Sequence, residues 1–236
     1  MVWNKASAGV SPVTIPTVIP GNTNRPPRVA ICVPYQTSIT MQWAYKMMIP
    51  LWTQPTDFCE KVHKMVRGIP LPVARDQLVD TALEDKTVTH LLWVDTDNIP
   101  QSPENPNDAL KALMNCNVPI VSGLYKAKQA EGFNNAMWYD LKMPNQSGFS
   151  PINQWTGNFI EADVIGFGFC LIKREVFEKI PRPWFPWNTV SPSEDFNFCI
   201  KARQHGYKIN VFTDIKLMHE GNLMVDTDGK VSVLKI

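Results

Sequence analysis

No stretch of this 236-residue chain stays apolar long enough to cross a bilayer. Excess charge of one sign is also missing. Lys and Arg number 23 against 22 for Asp and Glu, a formal net charge of +1, which speaks against a nucleic-acid-binding surface. Nothing at the N-terminus reads as a signal peptide. The five cysteines (Cys32, Cys59, Cys116, Cys170, Cys199) are odd in number, widely spaced and mostly set among apolar residues. That pattern fits neither a disulfide framework nor a zinc site, and it implies reduced, largely buried thiols in a cytoplasmic protein. No glycine-rich, basic loop follows the first apolar stretch, and no internal repeat is visible. Apolar content of 44% is ample for a core. The length suits one large α/β domain.

Proline and tryptophan, by contrast, are plentiful. Residues 1–28 carry Pro12, Pro16, Pro20, Pro26 and Pro27 without a helical period, so they read as an extended arm, and 29–236 as a single domain. The first strand is Val29–Val33, stopped by Pro34. A helix is predicted from Pro72 to Glu84, with Val73, Gln77, Leu78, Thr81 and Ala82 near one face. Asn107–Met114 reads as a helix and Pro119–Gly123 as a strand. Pro144–Gly157 reads as a mobile loop. Val164–Ile172 is an apolar segment whose Gly166 and Gly168 permit close approach. Arg174–Ile180 is a short helix. Ser193–His205 is a second, capped by Ser193 and Gly206, and Lys208–Phe212 is a strand. Strand–helix alternation of this kind predicts a mainly parallel sheet covered on both faces.

The most informative stretch is Leu91-Leu92-Trp93-Val94-Asp95-Thr96-Asp97, an apolar run ending in two carboxylates one residue apart. Asn98, Pro100, Ser102 and Pro103 close it, so the run reads as a buried strand that opens into a loop. Residues at i and i+2 on an extended chain point to the same side. Clustered carboxylates repel, and a hard divalent cation relieves them. In an open α/β sheet, ligands bind at the carboxyl ends of strands. Asp95-Thr96-Asp97 is thus a candidate for holding a metal ion against a diphosphate, the alternative being a solvated acidic turn. Ser193-Glu194-Asp195 puts two acids in the first turn of a helix, where the macrodipole favours them whether or not they do chemistry. His219 follows a predicted strand and is a ligand or an ordinary packed residue. His63, His90 and His205 lack comparable surroundings.

Taken in order, these segments resemble the GT-A glycosyltransferases from Val29 to about Gly221. The matching series is Val29–Pro34 with Tyr35, Ala74-Arg75-Asp76-Gln77-Leu78-Val79, Trp93–Asp97 and Val121-Ser122-Gly123-Leu124-Tyr125. It continues with Gly166-Phe167-Gly168-Phe169-Cys170-Leu171-Ile172, Ser193-Glu194-Asp195 and His219. The resemblance is to small single-domain members of bacterial and phage type. It implies a GT-A, Rossmann-like fold and a hexosyltransferase that uses a nucleotide-sugar donor with Mn²⁺ or Mg²⁺.

By the same resemblance the metal ligands are Asp97 and His219, with Asp95 on the metal, its water shell or the ribose, and Thr96 beside the donor. Pro34, Tyr35 and Gln36 border the nucleotide. Arg75 and Asp76 touch its base, ribose or phosphates, unless they lie on an exposed helix face. Gly166 and Gly168 let the sugar ring approach the backbone. Asp195 is the general base and Glu194 positions a hydroxyl. Trp138, Trp155, Trp184 and Trp187 stack on sugars or anchor packing, and Lys126-Ala127-Lys128 faces phosphates or solvent. UDP-sugars are the favoured donors, GDP-mannose the second. The acceptor is an unidentified hydroxyl on a saccharide, a protein or another molecule. An inverting transfer uses Asp195 as base, whereas a retaining one leaves it as a binding residue. Two other readings stand beside this one. A nucleotidyltransferase acting on sugar phosphates is disfavoured by the missing phosphate loop. A catalytically silent nucleotide-sugar-binding module is disfavoured because every expected polar position is filled.

Overall fold

Val29, Ile31 and Val33 pack on one side of β1 (Arg28–Tyr35), Ala30 and Cys32 on the other, and both rows are buried. A strand buried on both faces belongs inside a helix-covered sheet. The computed structural model describes residues 25–35, 38–67, 70–126, 134–139, 148–187, 193–220, 223–225, 227–228 and 230–233. Gln36, residues 1–24 of the proline-bearing arm, and Ala127 and Lys128 lie outside them. In the main sheet β1 lies between β2 (Glu60–Arg67) and β3 (Val88–Val94), parallel to both. The strand order is β13–β12–β11–β5–β10–β3–β1–β2.

Strands β1, β2, β3, β5 (Ile120–Leu124) and β11 (Ile209–His219) share one direction, and β10 (Phe169–Lys173) runs antiparallel between β3 and β5. Along β11, β4 (Asn98–Ser102) and β8 (Phe159–Ala162) pair antiparallel, and β12 (Leu223–Val225) and β13 (Val231–Val233) extend the edge. A small sheet joins β7 (Phe149–Pro151), β6 (Ala136–Tyr139) and β9 (Val164–Ile165).

Helices cover both faces. On one lie α3 (Leu71–Glu84), α5 (Arg174–Lys179) and α6 (Glu194–Gln204), through Leu78, Phe177 and Phe198. On the other lie α4 (Pro106–Asn115) and a segment made of α1 (Met41–Trp43), a π-helical turn (Ala44–Met48) and α2 (Ile49–Thr53). Trp93, fully buried, packs against Phe167, Phe177 and Phe185 with ring centroids 6.1, 6.3 and 5.2 Å away. Each such fully buried side chain contributes about 1.5–3 kcal/mol. All five cysteines are thiols, and only Cys116 is not fully buried. Among the described residues no helix is long and apolar enough to cross a membrane.

The α/β class with a mainly parallel core stands, but several boundaries move. Pro34 does not stop β1, because pairing with β3 ends at Cys32 and leaves one edge free, where a residue without an N–H is tolerated. Within the predicted loop 144–157, Phe149–Pro151 is a strand of the small sheet; residues 144–147 lie outside the described ones. The segment Val164–Ile172 is two strands in different sheets, parted at Gly166–Gly168. The Lys208–Phe212 strand runs on to His219. The buried stripe of α3 is Arg75, Leu78, Val79 and Ala82, while Val73 is 50% exposed.

Candidate active site

Strand β3 ends where β1 is flanked on either side by a later parallel strand, the kind of reversal point at which open α/β sheets bind ligands. Three bonds fix the backbone there. The Asp95 N–H donates to the Gly168 carbonyl (3.1 Å), and the Asp95 carbonyl accepts from the Asn98 N–H (3.3 Å) and the Trp43 indole N–H (2.9 Å). The chain turns at Thr96 and Asp97, so the two acids part instead of sharing a side as on an extended strand.

Asp95 turns to α3, where its Oδ1 accepts from Arg75 Nη2 at 2.9 Å. Arg75 Nε donates to Glu194 Oε1, also at 2.9 Å. The Arg75 side chain is 1% exposed, which rules out the exposed helix face. Burial opposes its charge, but Asp95, Glu194 and Asp195 outweigh that and hold it a cation. Its guanidinium also lies 5.3, 5.6 and 5.9 Å from the ring centres of Trp93, Phe167 and Phe185. For Asp95, burial and the neighbouring Asp97 outweigh Arg75, and its carboxyl is pushed up to about 6.

Asp97 turns to β11. Its Oδ1 accepts from Asn98 Nδ2 (3.1 Å), and its Oδ2 lies 3.4 Å from His219 Nε2. The other ring nitrogen, Nδ1, is 2.9 Å from the Lys126 carbonyl, and the ring meets Tyr125 edge-on at 5.5 Å. The Glu220 N–H donates to the Asp97 carbonyl at 2.5 Å, and Glu220 Oε2 accepts from Thr40 at 2.7 Å, tying β11 to the start of α1.

The acidic turn of α6 completes the cluster. Ser193 is the N-cap by position, but its hydroxyl donates to Asp195 Oδ1. The same oxygen accepts the Phe196 N–H at 2.8 Å, while Oδ2 makes no hydrogen bond among the described residues. Asp195 is 9% exposed. Burial first, then the Glu194 charge, outweigh Arg75 and raise its carboxyl to about 7. The two adjacent acids thus stand in different states, Glu194 tied to a buried cation and Asp195 with one oxygen unengaged.

The remaining expected residues fall as follows. Pro34 is buried and Tyr35 half-buried at the end of β1, and Thr96 is half-buried in the turn. Asp76 accepts the backbone N–H groups of Trp184 (3.0 Å) and Phe185 (3.2 Å) and so pins the segment before α6. On the Cβ side of the two glycines the space is taken by protein. A Cβ on Gly166 would fall 2.0 Å from the Tyr125 hydroxyl, and one on Gly168 would fall 2.5 Å from Asn98 Nδ2. Trp184 is a packing anchor, its indole bonded to the Phe177 and Ile180 carbonyls (both 2.9 Å), and Trp138 packs on the core. Trp155 and Trp187 are 38% and 78% exposed. Sequence reading missed Trp43, Thr40, Asn98 and Glu220, and it gave Tyr125 no role; only Asn98, a polar residue next to the acidic pair, carried a signal.

Among the described residues no three His, Cys, Asp or Glu side chains are grouped to hold a metal ion. The donor set on offer is the Asp97–His219 pair. An open cavity of about 800 Å³ lies at the opposite ends of β1 and β3, near Arg28, His90 and Lys173. Two of its lining cations have partners, Arg28 in Glu60 and Asp85, and Lys173 in Asn117.

No family model and no curated protein matches the sequence. Among solved structures, A197 from STIV is similar with a TM-score of 0.63 and 23% identity, over 89% of this chain and 95% of that one. The structure of GalNAc-T7 with UDP, GalNAc and Mn²⁺ is similar with a TM-score of 0.55 and 13% identity, over 82% of this chain and 43% of that one. At such identities the likeness speaks for the fold, and the chain has a GT-A-like α/β fold.

Proposed function

We propose that the protein is a metal-dependent glycosyltransferase that moves a sugar from a nucleotide-diphosphate sugar to a hydroxyl acceptor. One observation carries the reading: the buried Arg75 touches Asp95 and Glu194 at once, which gathers the Asp95–Asp97 turn and the Glu194–Asp195 helix start into one site. A GT-A-like fold and a neighbour solved with UDP, GalNAc and Mn²⁺ support it. UDP-sugars are the first donors to try, and GDP-mannose the second. Pro34 and Tyr35, at the end of β1, border the nucleotide in this reading. The five thiols, none of them in a disulfide, accord with work in the cytoplasm.

Asp195 is the general base. Its free Oδ2 takes the acceptor hydroxyl's proton as that oxygen attacks the anomeric carbon, and a carboxyl held near pH 7 is well matched to that transfer. Its other oxygen, held by Ser193 and Phe196, fixes the direction of approach. Glu194 stays in a supporting role on Arg75. Asp97 and His219 would hold Mn²⁺ or Mg²⁺, and this donor pair fits an ion that completes its shell with phosphate oxygens and water. Such an ion supplies Lewis-acid neutralisation of the departing diphosphate. Asp95, engaged by Arg75, meets the ribose or the ion's water shell.

A donor-hydrolysis screen over nucleotide sugars, with and without Mn²⁺, tests the assignment. Metal-dependent release of one nucleoside diphosphate is expected. No release from any donor, together with no binding of UDP or GDP, would sink it.

A further inference from the structure

A guanidinium taken out of water is costly unless anions meet it. Arg75 occupies a position in the buried stripe of α3 that Leu78, Val79 and Ala82 otherwise fill with apolar groups. Trp93, Phe167 and Phe185 already surround it, so a methionine or leucine there would pack into an apolar wall. Replacing buried ion pairs by apolar groups is often neutral or stabilising, so the fold does not by itself explain the charge. The geometry does. The planar fork carries five donors in fixed directions. Nε points to Glu194 and Nη2 to Asp95, each at 2.9 Å, while Nη1 is buried and has no hydrogen-bond partner among the described residues. No other described contact of these two carboxylates joins the β3 turn to α6.

We propose that Arg75 is a positioning residue. By gripping Asp95 and Glu194 together it sets the spacing between the metal-side turn and the base-side helix, and it decides which of two adjacent acids stays free. Glu194 is withdrawn onto the fork, and Asp195 keeps an oxygen that no described residue engages. The same grip holds Asp95 away from the Asp97–His219 pair. The kinetic consequence rests on the transferase reading above, whereas the mechanical coupling does not. This role differs from that of a nucleotide ligand, which would weaken donor binding when lost.

Two measurements on the full chain test the proposal. Two variants are used: Arg75→Lys, which keeps the charge but loses the fork, and Arg75→Gln/Glu194→Gln, which removes the cation together with one anion and so spares the fold. Hydrogen exchange on the free protein follows the amides of Asp95, Asn98, Phe196 and Asn197, whose bonds lie on either side of the grip. Protection at both pairs is expected to fall together, by about tenfold or more, while β1 keeps its own. Unchanged protection at either pair overturns the proposal. A loss that spreads into β1 reduces Arg75 to a packing residue and overturns it as well.

Calorimetric titration with UDP and with GDP in Mn²⁺, set beside turnover, supplies the second readout. Nucleotide affinity is expected to fall by no more than about tenfold, through the released Asp95, while turnover falls about a hundredfold, since a displacement of about 1 Å suffices for that loss. Affinity and turnover falling in step make Arg75 a nucleotide ligand and overturn the inference. If wild-type protein binds neither nucleotide, the transferase reading fails, and the exchange result alone decides the coupling.

Discussion

His219 presents Nε2 to Asp97 because its other nitrogen is spoken for. The Lys126 carbonyl 2.9 Å from Nδ1 can only accept, so Nδ1 carries a proton, and in the neutral ring Nε2 holds a lone pair 3.4 Å from Asp97 Oδ2. In that neutral form the two groups face each other as acceptors, the arrangement a shared cation would bridge.

In the reading proposed above, removing either group should weaken metal binding. Asp97→Ala and His219→Ala are each expected to lower Mn²⁺ affinity by about tenfold or more, read by electron paramagnetic resonance of the free ion. Asp95→Ala should cost less, because Asp95 is engaged by Arg75. Chelation by EDTA should abolish turnover and added Mn²⁺ restore it. Full activity in excess chelator would take the metal out of the mechanism.

Asp195→Asn should lower turnover by roughly a hundred- to ten-thousand-fold, with nucleotide affinity near wild type, because the isostere keeps shape and loses basicity. Since the carboxyl is raised to about 7 and must be ionised to accept a proton, wild-type turnover should climb with pH through that value and level off above it. A profile flat from pH 5 to 8, or a product that retains the donor's anomeric configuration by NMR, would make Asp195 a binding residue.

Gly166→Ala should be destabilising by about 1–3 kcal/mol, the usual range for overpacking. The new methyl would fall 2.0 Å from the Tyr125 hydroxyl oxygen and 3.1 Å from the ring carbon that bears it. Adding Tyr125→Phe removes the nearer clash and should recover part of the loss. Denaturant melts of the two singles and the double measure this coupling, and strict additivity would show that the hydroxyl is not what Gly166 makes room for.

His90 gives stability a pH dependence of definite sign. Burial, then the nearby Lys173, lower its pKa from 6.5 to about 4. The unfolded chain therefore binds a proton in this window that the folded one refuses. The contribution is fully present above about pH 6.5 and drains away as pH falls towards 4, to a limit of about 3 kcal/mol. His90→Gln should lose less stability than wild type between pH 7 and pH 4.5 in urea melts. Equal losses would place the proton elsewhere.

How legible each part was depended on whether its local pattern agreed with its final surroundings. The run Leu91–Val94 is apolar because both faces of β3 are covered, so it announced itself. Pro72 marked the start of α3 for an equally local reason. The face of α3 was misphased because Arg75, counted as polar, is one of its most buried residues. The segment 41–53 went unread, since its π-helical turn inserts extra residues and breaks the 3.6-residue period. Strand β2 hides its type behind Glu60, Lys61, Lys64 and Arg67, as suits a strand at the sheet's edge. At the site, residue types were readable because carboxylates ending a strand or starting a helix stand out. Their partners were not, because Trp43 and Arg75 reach Asp95 only through tertiary packing.

The reversed strand β10 also sets a timetable. It is synthesised long after β3 and β5, the two strands it joins, yet its preceding Gly168 supplies the carbonyl that fixes the Asp95 amide. At ribosomal speeds of about 5–20 residues per second, β3 waits roughly 4–15 s for that neighbour, and His219 arrives later still. A nascent chain that stops short of α6 has the Arg75–Asp95 contact but neither Arg75–Glu194 nor Asp97–His219. The cluster around Arg75 and Asp97 is therefore assembled only after β10, α6 and β11 have all been added behind β3.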